Sequence, residues 1–239
     1  MTADRVYAAL RSELGALGMT PSRRQLELFV AYLGLIARWR ARARLTAIAD
    51  PISAARLHIA DSLLCLAAGI PEGAELVDVG SGAGLPGIPL VIAREDLRIT
   101  LLEAEARRAA FLETAVDELG LQARVVCARA EDAGRGQLRE RFDVAVARAV
   151  ARLPLLYELT LPLVRVGGRV ILLKGVSVRA ELARWGAAVR VLGGGEPRMI
   201  DAVLKGGEGR ILVVVEKETR TPDTFPRRGG ALRRPILNR

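Results

Sequence analysis

Apolar residues recur at helical spacing through the first part of the chain: Val6, Leu10, Leu14 and Leu17, then Leu26, Phe29, Val30, Leu33 and Ile36. The two stripes predict helices over 3–17 and 22–45, the second capped by Ser22 after Pro21. Asp50-Pro51 breaks the pattern, Ser53 is the expected cap of a further helix, and Gly69-Ile70-Pro71 ends it. Beyond residue 74 the pattern changes. Short apolar runs over 76–79, 97–102, 123–128, 142–147, 169–173, 189–192 and 210–215 read as strands. Between them lie helical stretches, one opening with Pro86 at its first position and others over 105–119, 155–164 and 177–187. Such alternation predicts an α/β fold: a mostly parallel, doubly wound seven-stranded sheet with helices on both faces, its last strand antiparallel at the edge. Three parts are expected: an N-terminal helical extension (1–73), the α/β domain (74–216), and a tail (217–239) whose prolines and paired glycines predict an extended arm.

The candidate chemistry begins where the first strand ends. Leu76-Val77-Asp78-Val79 runs into Gly80-Ser81-Gly82-Ala83-Gly84, with glycine at every second position. Such a turn lets backbone approach a ligand without interference from Cβ atoms. A dinucleotide fingerprint would place its third glycine at 85, which is Leu85. A phosphate cradle would continue with Lys and then Ser or Thr, and this turn does not. The GxGxG turn with Asp78 before it resembles the S-adenosylmethionine loop of Rossmann-like class I methyltransferases. Gly80, Gly82 and Leu85 are its expected cofactor contacts.

Glu103 ends the second strand about twenty residues past the glycines, where an acid can accept both ribose hydroxyls. The plain alternative is a glutamate opening the next helix, and position relative to the turn favours ribose. Ala104 is small enough to lie beside adenine, and Glu131-Asp132 falls where the next loop passes the adenine edge, whose N6 is a donor. Arg148 closes the fourth strand. It holds either the cofactor carboxylate, a substrate phosphate or a structural ion pair. His58 is the only histidine, with Asp61 on the same helical face, and reads either as a hydrogen-bonded structural residue or as a catalyst. Lys174, delivered by the fifth strand, completes the catalytic candidates with His58 and Arg148; none stands out. No His or Cys pairing offers a metal site.

Charge changes the picture next. The 239 residues carry a net charge of +9, and only Lys174, Lys205 and Lys217 are lysines. From 217 onward seven basic residues face two acidic ones, so the excess concentrates in the tail and points to a polyanionic partner. Arg227, Arg228, Arg233 and Arg234 there, with Arg38, Arg42 and Arg44 near the end of the second helix and Lys174, are the expected nucleic-acid phosphate contacts. A merely solvated basic face is the competing reading for the helix. No apolar run reaches membrane length and the N-terminus, with Asp4 and Glu13, is not a signal peptide, so a cytoplasmic protein with no membrane partner is expected. Cys65 and Cys127 read as inert thiols.

Several motifs in order resemble the RsmG (GidB) family of bacterial 16S rRNA methyltransferases: Leu45-Thr46 with Asp50-Pro51, His58 with Asp61-Ser62, Val77 to Pro89, Leu102-Glu103, Ala130-Glu131, Arg148-Ala149, Leu173-Lys174-Gly175, and Thr221-Pro222 with Phe225-Pro226-Arg227. The resemblance implies binding of S-adenosylmethionine and methylation of guanine N7 in the decoding-centre hairpin of 16S rRNA, free or in the small subunit. It places cofactor contacts on Gly80, Leu85, Ala130, Glu131 and Arg148, with Glu103 as the ribose acid. A monomer without metal is expected. This chain departs from the family at Arg44, where Asn is usual, and at Leu57, where Arg is usual. Two rival functions are a small-molecule methyltransferase on the same fold and a non-catalytic RNA-binding protein.

Overall fold

The computed structural model describes residues 3–233 and 236. Two helices open the chain, α1 (Ala3–Ala16) and α2 (Arg23–Ala43). A helical stretch follows over 51–68, made of α3 (Pro51–Ala54), a π-helical turn (Ala55–Ala60), α4 (Asp61–Leu63) and a 3-10 turn (Leu64–Ala68). The α/β part runs β1 (Glu75–Val79), α5 (Gly87–Ala93), β2 (Arg98–Glu103), α6 (Ala106–Leu119), β3 (Ala123–Cys127), α7 (Ala130–Ala133) and β4 (Phe142–Arg148). It ends with α8 (Leu153–Thr160), β5 (Val164–Gly175), α9 (Val178–Trp185), β6 (Arg198–Val203) and β7 (Gly209–Glu216).

The seven strands lie in the order β3-β2-β1-β4-β5-β7-β6. β1 pairs in parallel with β2 on one side and β4 on the other, so chain direction from the first strand reverses there and opens a crevice at the carboxyl edge. Alternation along each strand supplies two cores. Leu76, Ile99, Leu101, Val144, Val146, Ile171 and Leu173 face α1, α2, the 51–68 stretch, α5 and α6. Val77, Val79, Leu102, Ala145, Ala147, Val170 and Leu172 face α8 and its neighbours. The two N-terminal helices thus share one core with the sheet. Ser22 and Gln25 form a capping box at the start of α2, and the Gln25 amide reaches 3.2 Å to the Ile92 and Ala93 carbonyls that end α5.

Several sequence expectations are corrected. Asp50, not Ser53, caps the third helix: its carboxylate accepts the Ser53 N–H at 2.8 Å, and Pro51 fills the first turn. Residues 189–192 lie in a 3-10 turn, and the strand in their place is Arg198–Val203; a four-residue apolar run cannot separate the two conformations. The strand over 210–215 is antiparallel but internal, between β5 and β6. Pro86 stands one place before α5, as its N-cap.

The tail is docked rather than extended. Arg135 donates to the Pro226 and Thr224 carbonyls at 2.6 and 2.8 Å, and Arg139 to that of Phe225 at 2.8 Å. The Arg227 guanidinium lies 2.7 Å from the Glu158 carboxylate, which is wholly buried on α8. Buried Lys217 donates to the Leu161 carbonyl at 2.8 Å and also holds Thr221. Among the described residues no helix is long and apolar enough to cross a membrane.

Candidate functional site

A cleft of about 400 Å³ opens at the carboxyl ends of β1, β2 and β4. All eight residues expected to contact a cofactor line it: Gly80, Gly82, Leu85, Glu103, Ala104, Ala130, Glu131 and Arg148. The glycine turn forms its floor. Gly80 sits at φ +71°, in the left-handed region, and a Cβ there would come within 2.9 Å of the Val150 side chain. Gly80 and Ser81 donate their N–H groups to the Leu102 carbonyl at 2.8 and 3.2 Å, tying the turn to β2. Tyr32, fully buried on α2, donates its hydroxyl to the Ala83 carbonyl at 2.5 Å. The N-terminal helices therefore brace the turn from behind.

Glu103 stands opposite the turn. One carboxylate oxygen accepts the Gly82 N–H at 2.8 Å and the other accepts Glu105 N–H at 2.9 Å, leaving each a free lone pair on a fixed side chain. Ala104, Ala128 and Leu159 give an apolar slot, closed by Glu131, which Arg129 approaches at 3.1 Å.

Asp78 is completely buried behind the turn. One oxygen accepts the Gly87 N–H at 3.0 Å, fixing the start of α5, and the other has no partner. Gly87 is required there, since a Cβ would lie 2.9 Å from that carboxylate and 2.5 Å from Leu101. Burial pushes the Asp78 carboxyl up to about 7, against 3.8 in the unfolded chain. A folded-state value above the unfolded one gives stability that is complete below pH 4 and lost as pH rises to 7. Asp78→Asn, which has no such proton, is expected to gain stability relative to the native chain across that window; urea midpoints at half-unit pH steps check it.

Arg148 makes the ion pair that the sequence left open. It lies 2.7 Å from Asp61 and donates to the Leu57 carbonyl at 2.9 Å, while Arg210 on β7 takes the second Asp61 oxygen at 2.6 Å. Beside this network lies a second pocket of about 420 Å³, which shares His58, Arg148 and Ala149 with the cleft and adds Lys174, Ser177 and Glu181. Lys174 Nζ donates to the Ala151 carbonyl at 2.9 Å and stands 3.6 Å from Glu181, so it belongs to this pocket rather than to the cleft. His58 is buried without the hydrogen bond that its structural reading required.

The expected RNA contacts scatter. Arg38 pairs with Glu118 at 2.7 Å, Arg42 stacks 4.8 Å over Trp39, and Arg44 ends α2 in the left-handed conformation. Arg227 is engaged with Glu158, and Arg228 lies 3.1 Å from Asp132. Arg233 ends a 3-10 turn (Gly229–Arg233), and Arg234 lies outside the described residues. No local pattern in the sequence marks Tyr32 or Arg210 for the site. The only trace of Tyr32 was a polar-tipped aromatic on the buried stripe of α2.

A switch-point crevice floored by a glycine turn, with an acid facing it from the second strand, is the arrangement of the Rossmann-like class I methyltransferases. The fold is shared with solved structures: a branched-chain polyamine synthase mutein from Thermus thermophilus matches 90% of this chain and 69% of its own, with TM-score 0.61 and 19% identity, a likeness of fold alone. Residues 25–206 match the family described as rRNA small subunit methyltransferase G, GidB. The protein of that description from Moorella thermoacetica is 43% identical over 239 residues, 98% of each chain, and that from Roseiflexus sp. is 43% identical over 92% of this chain and 96% of its own. This chain belongs to the ribosomal RNA small subunit methyltransferase G family.

Proposed function

We propose that the protein methylates N7 of a guanine in the decoding-centre hairpin of 16S rRNA, with S-adenosylmethionine as donor. The observation that supports it most is the shared lining of two cavities: the cleft floored by the glycine turn and the pocket that holds Lys174 and Glu181 have His58, Arg148 and Ala149 in common. S-adenosylmethionine supplies an electrophilic methyl on a sulfonium. Gly80, Gly82 and Leu85 hold its amino-acid end, Glu103 accepts the ribose hydroxyls, and Ala104, Ala130 and Glu131 flank the adenine. The absence of a Cβ at Gly80, where one would meet Val150, gives the cradle that such a ligand needs.

Guanine N7 carries a free lone pair and no proton, so the reaction needs no general base. That suits a site whose cations are already committed: Arg148 to Asp61, Lys174 to a carbonyl. The residues then act by orientation, which is worth about 7–11 kcal/mol in well-aligned reactions. The base must leave its stack to reach the second pocket. Phosphate contacts fall first to Arg44, beside cleft residues Leu45 and Thr46, and to Arg42, with the last tail residues adding to them. Arg227 serves by anchoring the tail.

The test is transfer of a labelled methyl from S-adenosylmethionine to small subunits or free 16S rRNA, followed by borohydride–aniline scission, which cuts at 7-methylguanosine. One cut in the decoding-centre hairpin is expected. Label on another atom or elsewhere in the RNA would overturn the acceptor assignment.

A further inference from the structure

His58 is 3% exposed, and neither ring nitrogen has a partner. Buried polar atoms are rarely left so, and those that are ask for an explanation. The local backbone is unusual too: His58 sits in the π-helical turn Ala55–Ala60, a geometry that recurs at functional sites. The ring lies in the wall shared by the cleft and the second pocket, where donor and acceptor must meet.

Its neighbours are already spoken for. Both Asp61 oxygens are taken by Arg148 and Arg210, and Arg148 is further held by the Leu57 carbonyl. Glu181 accepts the Leu153 N–H at 2.8 Å across the pocket, and Lys174 is bound to Ala151. Burial, and then the Arg148 charge, bring His58 down to about 4, so the ring is neutral in ordinary buffers. A neutral imidazole has one N–H to give and one nitrogen to accept. Guanine presents N7 and O6 side by side as acceptors.

We propose that the buried ring of His58 donates its N–H to O6 of the acceptor guanine, holding the base edge at the junction of the two cavities and leaving N7 unbonded for the methyl. The proposal rests on the guanine-N7 reading. A doubly protonated ring would offer a second donor beside N7 and set a positive charge against a product that itself becomes positive; the neutral ring avoids both. His58 is thus a base-binding contact, not a proton shuttle.

The test combines atom replacement in the RNA with replacement of the ring. Small subunits are reconstituted with ligated 16S rRNA carrying guanine, 6-thioguanine or 7-deazaguanine at the acceptor position. 6-Thioguanine keeps every other group but accepts poorly where O6 was. The native enzyme is expected to slow about tenfold on 6-thioguanine, the size of one hydrogen bond. His58→Ala is expected to slow about tenfold on guanine and no further on 6-thioguanine, with cofactor affinity unchanged. His58→Asn, which keeps an N–H donor, should recover part of the loss. Because the chain has one histidine, its ring signals in nitrogen-15 spectra are unambiguous and should shift when the subunit RNA is added. A full sulfur effect in His58→Ala, native rates for that variant on guanine, or ring signals blind to RNA would overturn the proposal. Methylation of 7-deazaguanine at the native rate would instead overturn the N7 reading beneath it.

Discussion

A Gly80→Val chain is expected to lose S-adenosylmethionine affinity by on the order of 100-fold while remaining folded. Gly80 holds φ +71°, where a β-branched residue is an outlier, and such strain costs about 1–3 kcal/mol. The new Cβ would also lie 2.9 Å from Val150, itself part of the cleft wall. Relief comes only by moving the turn away from the Leu102 carbonyl and Glu103, which are the contacts that shape the cleft. Gly120→Ala is the control. It imposes left-handed strain at φ +61° with nothing within 4 Å, at the end of α6, and should lower the melting temperature without changing affinity. Equilibrium dialysis with labelled cofactor, alongside thermal melts, separates the two.

Asp61→Asn is expected to destabilise the chain strongly and to disable the acceptor side of the site. Asp61 is 5% exposed and is the shared counter-charge for Arg148 and Arg210. Without it two half-buried guanidinium groups face each other across one amide. Breaking a buried pair by removing one partner costs roughly 3–5 kcal/mol. For a domain of this size that lowers the melting midpoint by roughly 10 °C. Methyl transfer should fall further than cofactor binding, since the freed Arg148 lies in the wall of both cavities. Midpoints and single-turnover rates measured on the same preparation check both parts; a variant as stable as the native chain would show the network to be ornamental.

The strand-to-turn geometry was legible in the sequence because it depends on near neighbours. Val77 to Gly84 carries its own signal, and Glu103 is found by counting from it along one crossover. What was not legible depends on contacts between distant elements. Tyr32 reaches Ala83 from α2, and Arg210 reaches Asp61 from the strand before the tail; no local pattern announces either. The 3-10 turn at 189–192, where the sequence predicts a strand, has the same origin. Four apolar residues fit a strand or a tight helix, and packing against α8 decides between them. Charge misled in a related way. Arg227 counts toward a basic tail in the sequence, whereas in the fold its charge neutralises Glu158 beneath it.

The most direct measurement is a calorimetric titration of the purified chain with S-adenosylmethionine and, separately, with NADH. Saturable heat with the sulfonium nucleoside at a micromolar or tighter dissociation constant, and none with the dinucleotide, is the predicted result. Heat from NADH and silence from S-adenosylmethionine would contradict the assignment of the cleft.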